Sequence, residues 1–355
     1  MSLLSQPVCL PPRNTMLLVI VALVGCAHEA AVTPPAPPAP AAASPAADTS
    51  ELFAFHVSSW VNLHQQLFFD AHPPQGATPQ RPEEERWTPA ERQAWDTAVA
   101  TYRERTRPGS LTLLFDETLI ALRRALDSVP EDGSLSGRPG IDLAFAEALE
   151  QAMGPYRAHY WPEVSREAQA WVNSLKPALD RSGQAIAREL SEVYGVPWPS
   201  QPFSVQVCRH ASGFGAYTLV DPTVITISSR PAPNRQETPL ESIFHEASHA
   251  LNDPLTDAFH TEFRRQGKIP PRMLWHALLF FTTGEVVRHH LGPGYVPYAS
   301  LNGLYARDPQ WAALEPVMKA EWTPYLEHRM DRETALRKLV AGYVPPETGP
   351  RNPAP

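Results

Sequence analysis

The chain has 355 residues, with 40 prolines, 13 histidines, three cysteines and a net charge of −8. An acidic balance with a pI near 5.9, and no Lys/Arg run interleaved with aromatics, argue against a nucleic-acid surface and against basic attraction to anionic lipid. The cysteines form no cluster that would hold a structural zinc, so any zinc must sit with histidine and carboxylate ligands.

In chain order, the first feature is the apolar stretch Met16 to Gly25, preceded by Arg13 as its only charge and ending Leu23-Val24-Gly25-Cys26. It is too short for a transmembrane helix, which needs roughly twenty apolar residues. Residues 1–25 resemble a bacterial lipoprotein signal peptide. The resemblance implies cleavage before Cys26, a lipid on that cysteine and a membrane-anchored protein of the cell envelope. Ala27 in place of a retention aspartate implies the outer membrane, facing the periplasm. The alternative is cleavage after Ala27, where Gly25 and Ala27 satisfy a small-x-small site, giving a soluble secreted protein. In the lipid-anchored form Cys9 leaves with the signal, Cys26 is acylated and only Cys208 remains, so no disulfide forms within the chain.

Residues 26–50 are rich in proline and alanine and read as an extended, semi-rigid tether. Residues 51–200 read as a helical N-terminal region. Thr88-Pro89-Ala90-Glu91 is a capping box opening a helix to about Arg105. Leu111 to Leu126, Pro162 to Leu175 and Arg181 to Tyr194 are further helical stretches, the last ended by Gly195. Phe55 to Phe69 reads as a core helix whose histidines are hydrogen-bonded inside, and no ligand is assigned there. Residues 201–345 form the metal-binding region, and 346–355 a disordered tail.

Within that region Phe203 to Val207, Ala216 to Val220 and Val224 to Ile227 are β-branched or alternating runs, predicted as strands. Thr238-Pro239-Leu240-Glu241 has the pattern of a capping box with proline at the first helical position. Leu240, Ile243, Phe244, Ala247 and Leu251 give the helix an apolar side, and Asn252-Asp253-Pro254 stops it. On this helix lies His245-Glu246-Ala247-Ser248-His249, an HExxH pentapeptide. Residues four apart share a helix face, so the two imidazoles can bind one metal ion. Glu246 projects beside the ion, where a carboxylate can take a proton from a water whose pKa the metal lowers to roughly 7.

The order of strands, loop and motif helix over residues 203 to 300 resembles the zincin metallopeptidases. The resemblance implies an α+β, mainly helical fold with a small sheet before the HExxH helix, and an edge strand that binds extended peptide. Asn252 and Leu255 stand where the metzincin extension needs glycine and histidine, so that subclass is excluded. What remains resembles the gluzincins, which implies a carboxylate from a later helix as third ligand. Met273 to Leu291 is a largely apolar helical stretch with Glu285 as its only acid, and Glu285 is the candidate. The competing reading pairs Glu285 with Arg288 or His289 one turn on. His260 and Glu262 read as a solvated helix face, and His289 and His290 as cationic residues at a helix end. Tyr298, Tyr295 and His276 are candidates for the donor that stabilises an oxyanion. On a straight helix His276 faces nearly the opposite side from Glu285 and, unless Gly284 kinks the helix, reads as a hydrogen-bonded core residue.

The expectation is therefore a zinc metallopeptidase of the cell envelope acting on a peptide or protein. Its metal residues are His245, His249 and Glu285, Glu246 is its general base, and a lipid on Cys26 ties it to the membrane. The alternative is a zincin-like envelope lipoprotein that binds a partner or peptidoglycan and cleaves nothing.

Overall fold

Three of the four strands form where the β-branched runs stand: β2 over Phe203–Cys208, β3 over Ala216–Val220 and β4 over Thr223–Ser228, joined by β1 over Phe53–His56. The structure, a computed structural model, describes residues 52–74, 79, 81–109, 111–230, 236 and 238–346. The strand order is β1-β2-β4-β3, parallel between β1, β2 and β4 and antiparallel between β4 and β3. β3 is thus an edge strand. The signal peptide and tether expected over residues 1–50 lie outside the described residues, as does the tail beyond residue 346.

The helices are α1 (Ser59–Ala71), α2 (Pro89–Arg105), α3 (Thr112–Phe115), α4 (Glu117–Leu126), α5 (Leu143–His159), α6 (Trp161–Ala178) and α7 (Gln184–Tyr194). After the sheet come α8 (Pro239–Ser248), α9 (Asp253–Arg265), α10 (Leu274–Leu291), α11 (Tyr298–Leu301), α12 (Pro309–Val317), α13 (Thr323–Leu326) and α14 (Arg332–Gly342). The fold is α+β and mainly helical with one small sheet. Among the described residues no helix is long and apolar enough to cross a membrane.

Several predicted boundaries recur. α2 opens on a full capping box, with Thr88 and Glu91 bonded reciprocally, and Gly195 ends α7 at a φ of 71°. Two expectations are corrected. Phe55 to Phe69 is split between β1 and α1 by Ser58, whose side chain accepts from the Val61 amide. The stretch 111–126 breaks at Asp116, which caps α4 through Thr118 and Leu119. α5 was not anticipated, because Gly154 and Pro155 interrupt its sequence pattern while the helix runs through them.

The sheet separates two apolar cores. Across one face, register aligns Phe55, Val205, Ile225 and Thr218 in a row. Val205 and Ile225 belong to the core shared with α6, α7, α8 and α10. The next row, Gln206, Thr226 and Tyr217, points the other way, toward the core built on α1, α2, α4 and α5. That face carries a buried polar set: Arg123 Nε donates to Thr226 Oγ1 at 3.1 Å, and Gln206 Nε2 to Asp127 Oδ1 at 3.0 Å. Because β1, α6 and α7 pack in the core of the motif helix, that core draws on both sides of residue 200.

Candidate metal centre

α8 starts as the sequence pattern requires, with Thr238 before Pro239, but Thr238 makes no side-chain cap. The expected capping box is corrected here, because Glu241 turns inward. Only 1% exposed, Glu241 accepts at Oε2 from the Tyr295 hydroxyl and the Tyr298 amide, each at 2.7 Å. Burial pushes its carboxyl up to about 7 against those hydrogen bonds. The close approach of α10 explains Gly284, where a Cβ would lie 2.7 Å from Pro297 Cβ and 3.0 Å from Glu241 Oε1.

One turn along the same helix comes His245, and His249 stands at its C-cap, since α8 ends at Ser248 and not at the expected Asn252 stop. α10 brings His276 against them. One ligand nitrogen from each of the three lies within 4.8 Å of the others, and Nε2 of His245 is 3.2 Å from Nε2 of His276. Two ligands around a tetrahedral metal with bonds of about 2.0–2.1 Å stand about 3.3 Å apart, so this spacing suits one ion. Two neutral imidazoles whose lone pairs face each other repel, so one nitrogen carries a proton or a cation lies between them. Burial drives His245 well below its ordinary value, with its two neighbours adding to the effect. It also lowers His249 to about 4 and His276 to about 3. The rings are therefore neutral near pH 7, the form that ligates a metal. Phe280 stacks on His245 at 3.8 Å and Trp275 meets His249 edge-on, which fixes the rings from the side.

Glu246 is buried between the motif helix and β3. Thr218 Oγ1 lies 2.7 Å from its Oε2 and 3.0 Å from its carbonyl oxygen. Thr218 is the polar member of an otherwise apolar row, and this contact is what it does there. Burial raises the Glu246 carboxyl to about 7, with the Thr218 bond acting in the opposite sense. His245, Glu246, His249 and His276 share a cleft of about 740 Å³ whose walls include β3, Phe280, Trp311 and Tyr298.

The remaining expected site residues fall elsewhere. Glu285 accepts from Arg288 Nε at 2.9 Å and does not line the cleft. It stands apart from the three-histidine group. α10 presents His276 to α8 and leaves Glu285 to the ion pair one turn on. Tyr295 spends its hydroxyl on Glu241, whereas Tyr298 lines the cleft. His289 and His290 both bond Glu189 at 2.8 Å, and Glu262 bonds Arg265 and Gln266. His64, within the stretch read as a core helix, bonds the Tyr102 hydroxyl at 2.9 Å.

Thr218 carried no motif that would single it out, and the capping-box pattern of Glu241 pointed to a helix start and not to a buried carboxylate. His276 did carry a signal: a histidine on an apolar helix, opposite an acid that already has an arginine three residues on.

No protein-family profile, curated protein or solved structure matches this chain.

Proposed function

We propose that this protein is a zinc metallopeptidase in which His245, His249 and His276 hold the metal and Glu246 is the general base. The observation that carries the reading is the convergence of three neutral imidazoles beside a buried glutamate, on a cleft walled by an edge strand. When bound, zinc would polarise a carbonyl and lower the pKa of a water at its open position, with its full double charge because all three ligands are neutral.

The chain supplies the rest. Glu246 accepts the proton of the attacking water and passes it to the leaving amine, with Thr218 holding the carboxylate in position. Outside its pairing with β4, strand β3 has backbone groups on its other side suited to an extended peptide. Tyr298, on the wall, is the candidate donor to the developing oxyanion. The third histidine departs from the gluzincin pattern, so the ligand set proposed here rests on the three-histidine geometry and not on that resemblance. The apolar stretch ending at Cys26 supports a lipid-anchored protein of the cell envelope as part of the same proposal.

The test is metal content of the purified full chain by elemental analysis, beside chelator-sensitive cleavage of an unfolded protein. One zinc per chain is expected, falling sharply in His276→Ala and persisting in Glu285→Ala. Glu246→Gln is expected to keep the metal and lose turnover by about a hundredfold or more. Zinc retained in His276→Ala, or full activity in Glu246→Gln, overturns the assignment.

A further inference from the structure

Nine large hydrophobic side chains are exposed among the described residues, and five of them, Leu111, Phe115, Phe214, Val220 and Met273, line the cleft that holds the histidines. They come from three separate parts of the chain: the residues at α3, strand β3 with the loop before it, and the start of α10. Single exposed apolar residues are ordinary, but exposed apolar residues from distant segments that meet at one cleft mark a binding surface. Phe115 is 70% exposed and Val220 57%, so neither is held there by the core. Deeper in the cleft Trp275, Phe280 and Trp311 continue the apolar wall to the histidines. Of the cations of the wall, Arg230 is paired with Glu163 and Glu167, which leaves Arg124 and Arg307 to disfavour a basic substrate side chain. Of its acids, Glu241 is bonded to Tyr295 and Tyr298, and Asp308 caps α12.

We infer that the cleft selects peptides carrying large aliphatic or aromatic side chains next to the bond to be cut, with the residues at α3 and the β3 edge forming the apolar subsite. This rests on the peptidase reading above. The cleft volume of about 740 Å³ is large enough for several such side chains. Each one moved out of water strengthens binding on the order of tenfold.

The experiment uses the full chain carrying Glu246→Gln, which binds without turnover, and short labelled peptides read by fluorescence anisotropy. A peptide with leucine and phenylalanine is expected to bind about tenfold or more tightly than its serine-substituted counterpart. Adding Leu111→Ser and Phe115→Ser, both on exposed side chains that can change without disturbing the core, is expected to reduce that advantage severalfold. Equal binding of the two peptides, or an advantage untouched by the double change, overturns the inference. A fatty acid that binds where neither peptide does also overturns it, in favour of a lipid occupant. Cleavage of unfolded protein by the unmodified chain is measured in parallel. Apolar binding without chelator-sensitive cleavage removes the peptidase reading, whereas cleavage without apolar preference removes the selectivity alone.

Discussion

Thr218 shows how much one hydroxyl can decide at a buried site. It stands in the sheet row with Phe55, Val205 and Ile225, where an apolar side chain would pack as well, and its Oγ1 instead reaches Glu246 Oε2 at 2.7 Å. A buried carboxylate with one fixed partner keeps one orientation; without it, several become accessible. Thr218→Val keeps the shape and removes the bond. Steady-state kinetics on a cleavable peptide should show kcat lower by about tenfold, with KM and zinc content near those of the unchanged chain. A purely structural role for Thr218 would instead shift stability and leave kcat alone.

At the scale of elements, α10 does two jobs with its two sides. One side gives His276 to the motif helix; its C-terminal end binds α7, where His289 and His290 both meet Glu189. Burial works against ionisation of Glu189, yet the hydrogen bond and charge of His289, followed by those of His290, hold its carboxyl below the ordinary 4.5. The bond to Glu189 in turn raises His289 above 6.5. The Glu189 contribution is present above pH 4.5 and is lost as pH falls through its lowered value. That of His289 is full below pH 6.5 and fades as pH rises through its raised value. The link between α7 and α10 is therefore strongest between those limits. Urea unfolding of the unchanged chain and Glu189→Gln should differ by about 1 kcal/mol in that window, with the gap narrowing on both sides.

Over the whole molecule, the sheet joins two cores by different means. One face is apolar and seats α8; the other holds Arg123, 1% exposed, against Asp127 at 2.6 Å. Burial disfavours the Arg123 charge, but the Asp127 carboxylate, together with Tyr217 and Cys208, offsets this and holds its pKa up. Removing one member of such a pair leaves a charge with no counterpart. Asp127→Asn should destabilise the fold by about 2–3 kcal/mol in urea unfolding.

The sequence by itself determined the local elements with strong chemistry: three strands from their β-branched runs, α2 from its capping box, the end of α7 from Gly195, and the motif helix that puts His245 and His249 on one face. These depend on neighbours within a few residues, where periodicity and backbone preference act. β1 was hidden, because four residues at the start of an aromatic stretch become a strand only when β2, some 150 positions on, offers its edge. That His276 joins His245 and His249 was decided by tertiary structure, because its place on an apolar helix did not by itself say what it faces. His276 and Glu285 lie on opposite sides of one helix, and the sequence reading puts the ligand on the Glu285 side. Gly284 lets α10 approach α8 closely, and that packing turns His276 to His245 and His249 and leaves Glu285 with Arg288. The same packing moved Glu241 from an expected cap to a buried carboxylate, because the Tyr295 hydroxyl and the Tyr298 amide satisfy it better than a frayed helix end can.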